Sequence, residues 1–426
     1  MPALTAPQTL PLQIEGFSPY IAEVLEAQPT LAKLFGNGNG GATRVSERAF
    51  RARLKTALAG SPKQFDPDTG SFPQGTGNMY DQMLLTPVFW LLAVQYSMLA
   101  AMMEGEGVAT DSAVSQTIAD VVRQCATFRD IFLQGSGDGS LGSVDSTTGS
   151  NYINLRSATT STIDGRGAHL VKPQQVVQVM SNAYVLRGSC TIQAVYNSLG
   201  STQQIRVDSI PGGTVAGDLI IADGVASGAP QFVNGLRYFI STATVGNLYG
   251  IDRSSYPYVV ANGVNLSNNS QITKPVFRLI ENQIAQRLGD VGIDDQFYHT
   301  HYSQLQALEE LAFNDSYVPL QNGTAQSYDP MFQKFTINGR KVVASPHADQ
   351  TIWDLIWKKT WFSIKWGAGM FWYKNRGGQM VFQMVDPTTG TPTAQEAMYY
   401  CVSEQWFVGN PISQGGATGC KVPAGN

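Results

Sequence analysis

The sequence predicts a mixed α+β fold. Apolar residues recur at helical spacing throughout residues 111–134, the clearest amphipathic period in the chain. Between residues 172 and 262 the pattern changes to short runs of β-branched and aromatic residues separated by Gly, Asn and Ser, which is typical of strands. Helical spacing returns in residues 274–313, and further strand patterns follow it. Together these three observations place the chain in the α+β class.

The composition is poor in charge for a soluble protein. Charged residues make up 14% of the 426 residues and hydrophobic residues 43%, whereas a typical soluble domain has about 25% charged residues. One interpretation is that neighbouring subunits cover much of the surface, and the alternative is an ordinary Gly- and Thr-rich β protein. The net charge of -4 excludes an overall positive field that attracts nucleic acid, so any contact with DNA must be local.

No segment predicts export, a membrane span or a cysteine framework. The first 16 residues lack a basic segment followed by an apolar one, so we expect no secretory signal peptide. The longest apolar run, residues 87–103, is interrupted by Gln95 and Ser97. The 4 cysteines include no Cys-x-x-Cys pair, which argues against disulfides and zinc and predicts buried or incidental thiols.

The N-terminal part of the chain changes character near residue 44. Before it, Pro19–Ala27 and Pro29–Phe35 are short helical patterns, each opened by a proline, and the glycine-rich run 36–41 ends them. Residues 44–60 form a basic stretch that is extended or helical, and residues 61–82 are dense in Pro, Gly, Asp and Asn. The second stretch has no apolar period and cannot form its own core, which favours a functional loop or an interaction arm.

The helix of residues 111–134 is the most regular element. Thr110 or Asp111 is suited to cap its N-terminus, and Gly135 stands where a left-handed C-terminal residue belongs. At 1.5 Å per residue its length is about 36 Å, enough for the rigid axis of an elongated molecule. Its predicted packing face consists of Val114, Ile118, Val121, Cys125, Phe128 and Phe132.

Helices and strands are mixed in the rest of the chain. Lys274–Leu288 is predicted to be a helix that stops at Gly289, and a second helix is predicted over Ser303–Phe313. Strand patterns then alternate with turns, and the last of them is the aromatic run of residues 397–409.

Two stretches carry a family resemblance. They are residues 65–97, FDPDTGSFPQGTGNMYDQMLLTPVFWLLAVQYS, and residues 232–257, FVNGLRYFISTATVGNLYGIDRSSYP. The first resembles the extended loop and following strand of one branch of the tailed-bacteriophage major capsid proteins, and the second resembles the end of a β insertion in some of them. The fold of that family is the Hong Kong 97 bacteriophage fold, which encapsulin nanocompartments share.

The resemblance implies a capsid-like architecture in six segments. They are an N-terminal arm (1–43), an extended loop (44–88), a peripheral domain with a spine helix (89–165), a β-rich insertion domain (166–265), an axial domain (266–385) and a C-terminal β segment that returns to the peripheral domain (386–426). It further implies a non-enzymatic subunit that self-assembles into hexamers and pentamers of an icosahedral head enclosing double-stranded DNA.

The same resemblance implies partners and a location. The partners are other copies of the chain, a separate scaffolding protein, a portal and non-specifically bound DNA. Whether a cement protein also binds stays open. The implied location is the virion, with assembly in the host cytoplasm, and neither a membrane nor a cofactor is implied.

If the resemblance holds, the extended loop lies over a neighbouring subunit. We expect its basic residues to contact acidic patches there, because charge complementarity fixes the docking register. We expect no covalent cross-link from Lys55 or Lys63, since the sequence identifies no catalytic Glu for one. The candidate interface residues are Arg44, Arg48, Arg51, Arg53, Lys55, Asp66, Asp68 and Tyr80.

Other functions stay open beside the capsid interpretation. An encapsulin-type compartment shell shares the fold, and a β-rich carbohydrate-binding or tail protein is disfavoured by the lack of internal repeats. His299 and His301 are two residues apart, so in a strand both imidazoles would point to one face and could bind the metal of a metal hydrolase. We favour the alternative that they lie at the entry of a helix and form hydrogen bonds with its backbone. The glycine-rich run 135–143 follows a helix and lacks a closing Lys-Ser/Thr, so it does not predict a phosphate loop. We assign no catalytic, metal or cofactor residues.

Overall fold

The computed structural model describes residues 31–35, 38–46, 48–57, 79–97, 113–155, 167–197, 203–228, 230–289, 295–315, 336–372, 381–385 and 392–422. The α-helices in these ranges are α1 (Leu31–Leu34), α2 (Ala113–Leu133), α3 (Leu236–Phe239), α4 (Lys274–Leu288) and α5 (Tyr302–Asp315). The strands are β1 (Thr43–Arg44), β2 (Phe50–Ala57), β3 (Met79–Leu85), β4 (Val88–Ser97), β5 (Ser140–Thr148), β6 (Tyr152–Leu155), β7 (Val176–Met180), β8 (Leu186–Asn197), β9 (Gln203–Val207), β10 (Leu219–Ala222), β11 (Asn247–Leu248), β12 (Ile251–Asp252), β13 (Asn262–Ser270), β14 (Gln296–Thr300), β15 (Thr336–Ile337), β16 (Arg340–Ala344), β17 (Trp353–Trp357), β18 (Trp361–Trp372), β19 (Val381–Val385), β20 (Pro392–Val408) and β21 (Gly415–Cys420).

The chain divides into two compact units. Unit 1 comprises residues 1–36, 87–133 and 365–405, and unit 2 comprises residues 37–86, 134–364 and 406–426. The six segments that the resemblance implies divide the chain more finely, and their boundaries stay a prediction.

Unit 1 combines helix α2 with a sheet of four strands. The long strand β20 pairs antiparallel with β4 and also pairs with β18 and β19. The indole of Trp90 on β4 meets the ring of Phe132 on α2 edge to face, with centroids 5.5 Å apart. The backbone amide of Leu31 donates a 2.9 Å hydrogen bond to the carboxylate of Asp130, which fixes α1 to α2.

The largest sheet of unit 2 has six strands in the order β13-β21-β17-β14-β16-β15, and helix α4 packs on it. The rings of Tyr298 and Trp353 each lie edge to face with Phe277 on α4, at centroid distances of 5.1 Å. A Cβ on Gly415 would come within 2.6 Å of Ile280, so this glycine lets α4 lie close to β21. Helix α4 has the predicted bounds, Lys274–Leu288, so the helix that the apolar spacing predicts is confirmed.

Unit 2 also contains a closed antiparallel barrel of six strands in the order β10-β5-β6-β9-β8-β7. Its first strand begins at Ser140, inside the glycine-rich run 135–143, where the sequence predicts no strand. Pairing of β5 with both β6 and β10 explains this difference, because hydrogen bonds from distant strands outweigh the low strand propensity of Gly and Ser. Its buried apolar residues include Val144, Ile153, Val177, Val179, Ile192 and Ile205.

The four cysteines are buried and unpaired, as the sequence predicts. Burial, with the charge of Glu404, raises the pKa of the Cys125 thiol to about 12, which keeps it protonated and unreactive. Among the helices that the structure describes, none is both long and apolar enough to cross a membrane.

Candidate subunit interface

The segment that is predicted to form the extended loop contains an antiparallel ribbon of β2 and β3 in unit 2, with β1 at its edge. Along both strands, side chains alternate between two faces. Ala52 and Leu54 on β2 and Met83 and Leu85 on β3 are at most 6% exposed and form the buried face. Because apolar and basic residues alternate in β2, the strand geometry places its arginines on the opposite face.

That opposite face is basic and exposed. Arg51 pairs across the ribbon with Leu84, and Arg53 pairs with Gln82; all four side chains are exposed. Tyr80 is 63% exposed and lies opposite Lys55 in the register. Within the described ranges, no carboxylate forms an ion pair with Arg51 or Arg53. Both guanidinium groups are exposed on this face of the ribbon.

The two arginines line a groove of about 450 Å³, which we call the basic groove. Its volume lies within the range of about 300–1,000 Å³ that is typical of ligand sites. The groove is lined by Gly40, Gly41, Thr43, Val45, Arg51, Arg53 and Gln82. This lining carries two positive charges and no carboxylate, so it favours an acidic occupant.

A tight turn positions the edge strand beside the basic groove. Gly40 has a φ of +57°, and a Cβ at this position would lie 2.4 Å from the ring of Phe362. Both the left-handed backbone and the close approach therefore require glycine. From the sequence this run is predicted only to end a helix, whereas in the structure it also brings β1 to the ribbon.

The remaining candidate interface residues are spread around the ribbon. Arg44 is exposed, and its Nε donates to the backbone oxygen of Ser46 at 3.0 Å; Arg48 is exposed as well. The side chain of Lys55 and the residues Asp66 and Asp68 lie outside the described residues. The structure thus brings Arg51, Arg53 and Tyr80 to one face, and their role at an interface stays a prediction.

The predicted packing face of the spine helix lies on α2. Of its six residues, Val121, Cys125, Phe128 and Phe132 are buried. The rings of Phe128 and Phe132 stack with centroids 6.0 Å apart. The side chains of Val114 and Ile118 lie outside the described residues.

The same helix carries a buried ion pair that the sequence analysis missed. Arg129 Nε lies 2.8 Å from both carboxylate oxygens of Glu404, and one of its terminal nitrogens lies 2.7 Å from Glu404 Oε2. The two side chains are 14% and 2% exposed. Burial alone would lower the pKa of Arg129, but the charge and hydrogen bonds of Glu404 raise it above its ordinary value. No local signal predicts this pair, because 275 positions separate its members.

His299 and His301, the two histidines of the candidate metal site, have different hydrogen-bond partners. His299 is buried, with Nε2 3.4 Å from the amide nitrogen of Gln134 and Nδ1 3.8 Å from a carboxylate oxygen of Asp354. His301 Nδ1 accepts a 3.1 Å hydrogen bond from the backbone amide of Ser303 and so caps helix α5. The favoured helix-entry role is confirmed for His301. In the part of the chain that the structure describes, no three His, Cys, Asp or Glu side chains are grouped as a metal site requires.

Replacing His301 with Asn is expected to make the protein less sensitive to acid. Burial, together with His347 and His299, lowers the pKa of His301 from 6.5 to about 4. The unfolded chain therefore binds a proton at a higher pH than the folded one, so this contribution to stability is present above pH 6.5 and is lost as the pH falls towards 4. Asn keeps a capping oxygen but does not titrate.

Urea unfolding at pH 7.5 and at pH 4.5 measures the effect. The wild type should lose on the order of 2 kcal/mol more of its free energy of unfolding on acidification than His301→Asn does. Equal losses in the two proteins would show that His301 does not carry this pH dependence.

Comparisons with known proteins rest on structure alone. No family model matches the chain, and no curated protein matches it in sequence. Among solved structures, the capsid of cyanophage A-1(L) is 12% identical and superposes with a TM-score of 0.52, covering 92% of this chain and 94% of that one. A capsid of a native GTA particle is 8% identical (TM-score 0.44, 89% and 87% covered), and the SrpI encapsulin of Synechococcus elongatus is 7% identical (TM-score 0.41, 89% and 84% covered).

The cyanophage match covers almost the whole of both chains, so it concerns the complete architecture and not one shared motif. The described elements agree with the α+β class that the sequence predicts. The chain therefore has the fold of the tailed-phage capsid proteins, the Hong Kong 97 fold that the two stretches of sequence resemble.

Proposed function

We propose that this protein is a structural shell subunit that self-assembles into the hexamers and pentamers of an icosahedral phage head enclosing double-stranded DNA. The observation that carries the proposal is the fold, which matches a cyanophage capsid subunit over nearly the full length of both chains. The charge-poor composition supports it, because subunits of a shell cover much of one another's surface.

In this proposal the basic groove and the exposed face of the β2/β3 ribbon dock on an acidic segment of the neighbouring copy. Contacts of this kind are heterologous, because one surface of each subunit meets a different surface of the next, and they close into rings. Arg51 and Arg53 provide the charge that fixes the register of docking.

The proposal assigns the protein no catalytic activity and no cofactor. Its partners are further copies of the chain, a separate scaffolding protein and a portal, with packaged DNA held through local contacts because the net charge is -4. The site of action is the virion, and the site of assembly is the host cytoplasm.

The test is electron microscopy of the protein expressed alone, combined with a sizing column. Closed particles, or rings of five and six subunits, are the expected result. Nuclease-protected DNA inside the particles supports a phage head, whereas packaged protein without DNA would favour a compartment shell. A protein that stays monomeric at every concentration and salt tested would contradict assembly without a scaffolding protein and would favour the carbohydrate-binding or tail alternative, which co-expression with a scaffolding protein would then test.

A further inference from the structure

A second cavity, in unit 2 and separate from the basic groove, contains two arginines. Its volume is about 230 Å³, below the roughly 300 Å³ at which sites for larger organic ligands begin. The polar side chains that line it are Ser136, Arg237, Tyr238, Ser241, Asn247 and Arg253. No carboxylate belongs to this lining, so the cavity is a candidate for a small anion.

The charge of Arg237 is already matched. Its guanidinium donates to the carboxylate of Asp354, which is 4% exposed and also lies 3.8 Å from His299. Burial opposes ionisation of Asp354, but the guanidinium of Arg237 and a hydrogen bond with His299 hold its pKa below the ordinary range. The carboxylate of Asp354 therefore pairs with Arg237, and no carboxylate of the described residues forms an ion pair with the second arginine of the cavity.

That second arginine, Arg253, is 6% exposed. One terminal nitrogen donates to the backbone oxygen of Tyr238 at 3.0 Å, while Nε is buried and has no hydrogen-bond partner among the described residues. The adjacent carboxylate of Asp252 accepts hydrogen bonds from Ser254 and Ser255 instead. Burial lowers the pKa of Arg253, and no carboxylate offsets that effect. An arginine nevertheless stays protonated in proteins, so the wall holds a buried positive charge that has no carboxylate partner among the described residues.

The other lining groups suit an oxyanion. Ser241 Oγ accepts a hydrogen bond from the amide of Ala243 at 3.3 Å, which leaves its own hydroxyl proton free to be donated. The side chain of Asn247 is exposed at the rim and offers an amide donor. Ser136 donates to Asp138 and adds no donor of its own. Donors thus come from several separate segments, an arrangement that fits a tetrahedral group with several oxygens better than a planar carboxylate.

We propose that this cavity binds one phosphate group, held by Arg253 with support from Arg237, Ser241 and Asn247. The group is either free phosphate or a phosphate of a nucleic-acid backbone. Binding neutralises the buried guanidinium of Arg253 through charge-assisted hydrogen bonds, which are stronger than neutral ones. The inference does not depend on assembly, because all of these residues belong to one unit of one subunit.

Equilibrium dialysis of the full chain against radiolabelled inorganic phosphate, at constant ionic strength set with NaCl, tests the proposal. We expect one phosphate per subunit for the wild type and an affinity at least about tenfold lower for Arg253→Met, which keeps the length and apolar body of the side chain. Arg206→Met is the matched control, because Arg206 is an exposed arginine of the same unit, on β9, and should bind as the wild type does.

Thermal unfolding separates a binding role from a structural one. Phosphate should raise the midpoint of the wild type but not that of Arg253→Met, whereas a purely structural role for Arg253 would lower the midpoint equally with and without phosphate. If Arg253→Met does not fold, Asn247→Ala at the exposed rim replaces it and should weaken phosphate binding. Wild type that binds no phosphate, or variants that bind it as tightly as the wild type, would overturn the proposal.

A short DNA duplex distinguishes the two sources of the phosphate group. Displacement of inorganic phosphate by the duplex would identify a backbone phosphate as the ligand. Retention of inorganic phosphate in the presence of the duplex would identify free phosphate. Either outcome is consistent with a phosphate site, provided that Arg253→Met weakens the binding as stated above.

Discussion

Reversing two charges, Arg51→Glu and Arg53→Glu, is expected to leave the subunit folded and to prevent closed particles from forming. Both side chains are exposed on the ribbon, and changes at such positions alter the free energy of unfolding by about 0.5 kcal/mol or less. At the basic groove, however, the new carboxylates would face the acidic segment that we propose as its occupant. Like charges placed opposite one another at an interface cost several kcal/mol, and the penalty recurs at every copy of the contact.

The measurement is electron microscopy and sizing of the double variant beside two controls. Arg51→Lys with Arg53→Lys keeps the charge and should still assemble, with a rate that falls as salt increases. Arg206→Glu reverses the charge at an exposed position of β9 in the barrel, and this variant should assemble normally. Particles of normal number and size from the double reversal would show that the basic groove is not an assembly contact.

Elements whose signal is local could be predicted from the sequence. The sequence predicts helix α4 to the residue because its apolar face and Gly289 at its end lie within one short stretch. Helix α2, predicted over 111–134, spans Ala113–Leu133. In both cases the apolar spacing alone fixes which face is buried.

Elements that depend on distant partners could not be predicted in the same way. The basic stretch near Arg51 was compatible with a strand or a helix, and only its pairing with β3 decides for the strand. Strand β5 lies in a run of Gly and Ser with low strand propensity, and closure of the barrel makes it a strand. The basic groove needs a turn at Gly40 that fits against Phe362, more than 300 positions away in sequence.

Removing one member of the ion pair between Arg129 and Glu404 is expected to destabilise unit 1 more than any other single change discussed here. Glu404→Leu leaves Arg129 largely buried with an unpaired charge, and breaking a buried pair in this way costs about 3–5 kcal/mol. Arg129→Met likewise leaves the carboxylate of Glu404, which is only 2% exposed, without its ion-pair partner. Urea unfolding of the unassembled subunit should show this loss as a lower midpoint for each single variant.

The double variant Arg129→Met, Glu404→Leu distinguishes two explanations for such a loss. If the loss comes from leaving an unpaired charge in the interior, the double variant contains no such charge. It should then recover most of the stability of the wild type, because apolar replacements of buried ion pairs are often neutral or stabilising. If helix α2 instead depends on the three close contacts of the guanidinium for its position on β20, the double variant should remain as unstable as the single ones. We expect recovery, since Val121, Cys125, Phe128 and Phe132 already supply α2 with a buried apolar face.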